Sequence, residues 1–228
     1  MNVAIVVAAG KGTRLGGDRP KQFLELAGVP IIVHALRQFE RCREISEVVT
    51  VLPAEETAGF ESAVNRFNLQ KVKRVIAGGA TRAQSVRRGL ESIADANIIA
   101  IHDGVRPFVT PDEIDRVVQA AEQNEAAILT APVSDTIKRI EANRIVETLP
   151  RAELRRALTP QCFRFALIKR AYQDLDALEA EGRDVTDDSL LIERLGIEVV
   201  SVEGSARNIK ITTQEDLALG EAIMKFTH

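Results

Sequence analysis

A doubly wound α/β fold with a mostly parallel sheet is predicted by three features of the sequence. Apolar, β-branched segments alternate with segments of helical spacing, the apolar segments show no polar alternation, and a glycine-rich turn follows the first of them. Continuous apolar strands belong to parallel sheets, because crossover helices cover both faces and leave polar residues no wet side to occupy.

Residues 3–8, 47–52, 72–77, 98–102 and 127–131 read as the strands. Between them, residues 31–41, 55–67, 82–93 and 113–123 carry apolar side chains at helical spacing. Helix starts set the frame: Thr81 with Gln84, and Thr110 with Pro111 and Glu113, offer side-chain acceptors for free N–H groups. Thr212 with Glu215 repeats the pattern before a closing helix over 214–225, which follows a strand at 198–202 and an extended piece at 208–211. One stretch breaks the series. Residues 134–140 and 145–149 read as two strands joined by the polar turn Glu141-Ala142-Asn143-Arg144. A hairpin has no place inside a βα series, so it is expected to project as an arm over about 134–156, and paired arms commonly close homodimers. No repeat or flexible linker divides the chain, which predicts a single domain over 1–228.

A formal net charge of -3 points to neither a nucleic-acid backbone nor an anionic membrane as partner. Any bound phosphate must therefore meet local cations. The cysteines, Cys42 and Cys162, match no metal-ligand spacing and are expected to be buried thiols in a reducing compartment. The apolar run at 3–9 has no basic leader and is too short for a signal peptide or membrane span, so a cytoplasmic location is expected.

The first strand runs into Ala8-Ala9-Gly10-Lys11-Gly12-Thr13-Arg14-Leu15-Gly16, followed by Gly17-Asp18-Arg19-Pro20-Lys21-Gln22. Glycines after the opening strand let backbone N–H groups approach an anion at the sheet edge where α/β folds bind ligands. Spacing excludes two familiar loops. A dinucleotide fingerprint needs glycine where Leu15 stands, and no Gly-Lys-Ser/Thr run completes a P-loop. Attack on an α-phosphate builds negative charge on its oxygens, which fixed cations such as Arg14 and Lys21 stabilise. The plainer alternative is that Lys11, Arg14, Arg19 and Lys21 only keep a loop soluble.

The segment from Ala8 to Gln22 resembles the AAGxGxRxG…PKQ signature of the 2-C-methyl-D-erythritol 4-phosphate cytidylyltransferases. Further segments are similar to that family in the same order: Gly78-Gly79-Ala80-Thr81-Arg82-Ala83-Gln84-Ser85-Val86, His102-Asp103-Gly104-Val105-Arg106-Pro107-Phe108, Ala157-Leu158-Thr159-Pro160-Gln161, Thr186-Asp187 and Asn208-Ile209-Lys210-Ile211-Thr212. The resemblance implies a nucleotidyltransferase, Rossmann-like, with a dimerisation arm. It implies that Ala8, Ala9, Gly10, Gly12 and Thr13 cradle the CTP triphosphate, and that Gly79, Arg82 and Ser85 line the cytidine pocket. Arg14, Lys21 and Lys210 would stabilise the reacting phosphates, and Asp103 would hold Mg²⁺, a hard cation that suits a carboxylate and phosphate oxygens. Arg106, Thr136, Arg151 and Thr186 would hold the sugar-alcohol phosphate, with Thr136 and Arg151 supplied by the arm of a homodimer partner.

The implied reaction needs no general base, since the acceptor phosphate is already anionic, so His102 is not assigned as one and His34 is read as a core or surface residue. Bland alternatives stand beside these roles: Asp103 as a loop cap, Arg106 as its ion-pair partner, Ser85 as a first-turn helix residue, Thr136 as a strand former, and Arg151 as part of a basic face with Arg155 and Arg156. The acceptor is also open. Val105 fits ribitol 5-phosphate cytidylyltransferases, whereas Ala9 fits the methylerythritol enzymes, and a non-catalytic nucleotide-binding regulator is a third reading.

Overall fold

A computed structural model describes residues 1–10, 20–183 and 185–226. Strand β1 (Val3–Val7) leads through a short hairpin, β2 (Glu25–Leu26) and β3 (Val29–Pro30), into helix α1 (Ile31–Arg41). The hairpin turns on Ala27 and Gly28, both with positive φ (50° and 76°), the combination that two-residue hairpin turns require. Then come β4 (Glu47–Leu52), α2 (Thr57–Arg66), β5 (Val72–Ala77), α3 (Arg82–Glu91), β6 (Ile98–Asp103), α4 (Pro111–Asn124) and β7 (Ala126–Pro132). The arm strands β8 (Lys138–Glu141) and β9 (Arg144–Thr148) precede β10 (Arg155–Arg164). Helices α5 (Phe165–Ala171), α6 (Leu175–Ala180) and α7 (Ser189–Arg194), strand β11 (Val200–Glu203) and helix α8 (Gln214–Lys225) complete the order.

Seven strands form one sheet in the order β11-β7-β10-β6-β1-β4-β5. All neighbours are parallel except β10, which runs antiparallel to both β6 and β7. Every residue of β1 is buried. Its side chains alternate between two cores: Ala4 and Val6 pack with Val33, Leu36 and Phe39 of α1, while Val3, Ile5 and Val7 pack with Val86 and Leu90 of α3. Burying each large aliphatic side chain this way contributes about 1.5–3 kcal/mol, which is why the strands contain no polar alternation. Chain order reverses direction between β1 and β6, so their C-terminal ends open a crevice, the usual ligand position in such sheets.

The capping expectations hold at two helices. Thr81 accepts from the Gln84 N–H (3.1 Å), and Thr110 and Glu113 form a full capping box. At α8 the expected cap is one residue early: the box is Thr213 with Asp216, although the Thr212 hydroxyl also donates to Asp216 (2.8 Å). The extended piece at 208–211 joins no sheet, and Ile211 N–H instead donates to the Val105 carbonyl (2.9 Å). Strand β10 and helices α5 to α7 extend the sequence reading, which saw residues 157–161 only as a motif. Cys42 and Cys162 are both buried free thiols.

Among the described residues the arm strands pair only with each other, through a turn at Ala142 and Asn143 with φ of 46° and 62°. Every residue of both strands is exposed, including Ile140 and Ile145, at 61% and 66% of their surface. No helix among the described residues is long and apolar enough to cross a membrane.

Candidate active site

A cleft of ≈ 180 Å³ sits at the C-terminal ends of β1 and β6. The chain after β1 contributes Ala8, Ala9 and Gly10, and the turn that follows contributes Lys21 and Gln22. The opening of α3 adds Gly79, Arg82 and Ser85, and Asp103, Val105 and Lys210 close the far side. These include most of the residues assigned to nucleotide and catalysis from sequence. Gly12, Thr13 and Arg14 lie outside the described residues.

Backbone hydrogen bonds place the first loop. Ala8 N–H donates to the Val51 carbonyl and Gly104 N–H to Val7, each at 2.8 Å, which ties the ends of β1, β4 and β6 together. Gln22, wholly buried, donates through Nε2 to the Gly10 carbonyl (3.2 Å) and thereby joins the two ends of the glycine loop. Gly78 has no room for a side chain: a Cβ there would lie 2.3 Å from that of Ala9. The buried Ser85 hydroxyl donates to the Thr81 carbonyl (2.9 Å) and accepts from Gly79 N–H (3.0 Å), fixing the second loop onto the first turn of α3.

Asp103 is the electrostatic centre. Arg82 Nε approaches its Oδ1 at 2.9 Å, while Lys210 Nζ (2.9 Å) and Arg106 Nε (3.5 Å) approach Oδ2. Burial alone would raise its pKa, but Arg82, Lys210 and Arg106 outweigh that effect and hold the carboxyl well below the usual carboxylate range. It is therefore an anion at any physiological pH. Arg106 is also held from behind, its Nη1 donating to the Asn208 carbonyl (2.8 Å).

His102 is structural. Its Nε2 faces the Arg106 carbonyl (3.1 Å), which can only accept, so Nε2 carries the proton and Nδ1 accepts from the Thr159 hydroxyl (2.9 Å). Thr159 Oγ1 in turn accepts from Asp103 N–H (3.2 Å). Burial pushes His102 down to about 4 from 6.5, against the opposing Arg106 carbonyl. In the unfolded chain this proton binds below pH 6.5, and in the folded chain only near pH 4. Between those values the unfolded state holds more protons, so stability falls as pH drops, by roughly 3 kcal/mol across the window. His34, also lowered mainly by burial, acts with the same sign, whereas Asp103 contributes only below its ordinary 3.8. Thermal unfolding from pH 7 to pH 4.5 should show this decline, and His102→Asn should flatten it.

Four assigned residues are absent from the cleft lining. Arg106 stands behind it and reaches it only through Asp103, whereas Thr136, Arg151 and Thr186 are exposed, and Arg151 Nη1 donates instead to the Ser134 carbonyl (2.9 Å) at the base of the arm. Gln22 and Asn208, by contrast, hold the site together and had no assigned role, although both stand inside the quoted motifs. Among the described residues no group of three His, Cys, Asp or Glu side chains could cage a metal.

The chain matches the model of the 2-C-methyl-D-erythritol 4-phosphate cytidylyltransferase family over residues 2–226. It is 43% identical to the enzyme of that name from Halalkalibacterium halodurans, over 96% of this chain and 95% of the relative. Among solved structures it is similar to 4-diphosphocytidyl-2C-methyl-D-erythritol synthase from Anaerococcus prevotii, with a TM-score of 0.85 and 29% identity over 98% of this chain and 96% of that one. The 2-C-methyl-D-erythritol 4-phosphate cytidylyltransferase from Thermus thermophilus superposes with a TM-score of 0.76 at 33% identity, covering 97% and 98% of the two chains. Of the acceptors that Val105 and Ala9 left open, methylerythritol phosphate is the one these relatives name. On this agreement of family model, near full-length identity and fold, the chain belongs to the 2-C-methyl-D-erythritol 4-phosphate cytidylyltransferase family.

Proposed function

We propose that the cleft between β1 and β6 carries out the family's reaction, in which CTP and 2-C-methyl-D-erythritol 4-phosphate give 4-diphosphocytidyl-2-C-methyl-D-erythritol and pyrophosphate. The observation that carries this reading is the carboxylate of Asp103 ringed by Arg82, Arg106 and Lys210, at the switch point of the sheet and beside the close packing of Gly78 on Ala9.

The acceptor's phosphate oxygen attacks the α-phosphorus of CTP, and the bond to the β-phosphate breaks. Ala8, Ala9 and Gly10, with Gly12 and Thr13, bind the triphosphate, while Gly79, Arg82 and Ser85 form the floor under the cytidine. Lys21, Arg14 and Lys210 neutralise the charge that builds on the α-phosphate and the departing pyrophosphate. Arg106 and Thr186 orient the acceptor phosphate. No side chain removes a proton, in keeping with a buried, neutral His102.

Mg²⁺ typically keeps several waters and takes one or two carboxylates plus substrate phosphates, so a single ionised carboxylate fits it without a protein cage. Asp103 is the residue that would hold it, as its ionised, hard oxygen donors suit that ion. Bound there, the ion would supply Lewis-acid stabilisation of the phosphate oxygens. Lys210, whose side chain is 39% exposed, has room to exchange its contact with Asp103 for one with an arriving phosphate.

The catalytic unit in this reading is a homodimer. Thr136 and Arg151 lie on or beside an exposed arm and outside their own cleft, and the arm displays Ile140, Ile145 and Val146 to solvent. Contiguous exposed apolar side chains mark interaction surfaces.

Pyrophosphate release tests the reading. Release is expected with CTP, Mg²⁺ and 2-C-methyl-D-erythritol 4-phosphate, with far less on ribitol 5-phosphate and none in excess EDTA. Full activity in EDTA would remove Asp103 from the metal role, and absence of release with every acceptor would favour a nucleotide-binding regulator.

A further inference from the structure

We propose that Asp188, which does not line the cleft, is a positioning residue for the reaction: by holding one nitrogen of Arg82 it prevents that arginine from closing two-pronged on Asp103, and so keeps Asp103 available to Mg²⁺ and nucleotide. The inference rests on the reading of the cleft given above.

Asp188 is fully buried. A buried carboxylate is tolerated only when it is paired and hydrogen-bonded, and each oxygen here has one strong partner. Oδ2 takes Arg82 Nη2 at 2.8 Å and Oδ1 takes the Tyr172 hydroxyl at 2.5 Å. Gln161 of β10 sets the backbone, its Oε1 accepting from the N–H groups of Asp188 (2.9 Å) and Ser189 (3.0 Å). Asp188 is thus placed by the scaffold alone, without help from a ligand.

The guanidinium of Arg82 spans two carboxylates. Its Nε donates to Asp103 and its Nη2 to Asp188, while Nη1 is buried with no hydrogen-bond partner among the described residues. Nε and Nη2 are the two prongs that arginine ordinarily offers to a single carboxylate, and two-pronged pairs are the strong, geometrically locked ones. Without Asp188, both prongs would be free to take both oxygens of Asp103. Lys210 and Arg106 already reach Oδ2, so a second prong would bring the donors on Asp103 to four, as many as its two oxygens have lone pairs, and a metal ion would have to displace one of them. Splitting the fork limits Arg82 to one contact with Asp103, and its second contact anchors the side chain beneath the cytidine pocket. Tyr172, whose hydroxyl is kept protonated by burial and by Asp188, donates permanently and locks the carboxylate's rotation.

The experiment compares the full-length enzyme with Asp188→Asn, Tyr172→Phe and Asp103→Asn. For each, the Mg²⁺ concentration giving half-maximal pyrophosphate release is measured, along with calorimetric binding of CTP at fixed Mg²⁺ and the melting temperature without ligand. Asp188→Asn keeps the shape but removes the charge, and is expected to raise the half-saturating Mg²⁺ concentration by about 10- to 100-fold, as loss of partners behind a metal ligand commonly does. Tyr172→Phe should shift it in the same direction by less. Excess Mg²⁺ should restore most of kcat in both. A role confined to folding would lower the melting temperature while leaving Mg²⁺ dependence and CTP binding unchanged, and that result would overturn the proposal. Should Asp188→Asn fail to fold, an unchanged Mg²⁺ dependence in Tyr172→Phe overturns it equally. If Asp103→Asn leaves both the half-saturating Mg²⁺ concentration and CTP binding unaltered, the reading of the cleft has failed. If Asp103→Asn changes and Asp188→Asn does not, the inference alone has failed.

Discussion

Replacing Lys21 with alanine is expected to lower kcat by about 10²- to 10³-fold while changing CTP affinity much less. Lys21 lines the cleft at the start of a single helical turn, Lys21–Phe23, whose next two residues, Gln22 and Phe23, are buried. Gln22 is bonded to Gly10, so the backbone bearing Lys21 is held against the glycine loop before any substrate arrives. A cation positioned in advance stabilises charge where it develops in the transition state without reorganising at that moment, so its loss is felt in turnover more than in binding. Steady-state kinetics with calorimetric CTP binding check this. An unchanged kcat would take Lys21 out of the reaction.

The second large effect concerns subunits. Arg151→Ala and Lys21→Ala proteins are each expected to be nearly inactive alone, yet mixing equal amounts should restore about a quarter of wild-type activity if each site is built from two chains. Half of the randomly assembled dimers are mixed, and in each of these one site combines an intact Lys21 with an intact partner arm while the other carries both defects. Arg151 supports this geometry, being exposed and fastened to Ser134 rather than turned into its own cleft. Verified mixed dimers with no recovered activity would rule out shared sites.

The parts of the fold legible in the sequence were those governed by local rules. β1 is buried on both faces, so its apolar run announced a central parallel strand. Thr81 and Thr110 announced helix starts because their side chains bond the third residue on. β10 was not legible, since Arg155, Arg156 and Pro160 read against a central strand. The structure accommodates the proline at a shift in register between Ala157 and Gln161, where its missing N–H costs no ladder bond. Helices α6 and α7 are six residues each, too short for a helical period to stand out.

The candidate site divides along the same line. Gly10, Lys21, Arg82, Asp103 and Lys210 sit in motifs whose chemistry can be read from residue type and spacing, and they meet in one cleft. Asp188 could not be found this way. Its meaning lies in contacts with Arg82, 106 positions earlier, and with Tyr172 and Gln161, which only the folded chain brings together.

Strand β10 begins where the arm ends, at Arg155, and within a few residues delivers Thr159 to His102 and Asp103, then Gln161 to Asp188. One ribbon of backbone therefore serves as both tether and ruler. Length can change freely at the arm's far end, where β8 and β9 pair only with each other, but a single inserted residue nearer than Thr159 would turn the alternating side chains over and unseat both contacts at once. Engineered changes in the reach of the arm are accordingly expected to be tolerated only at its tip, where they leave the holds of Thr159 and Gln161 untouched.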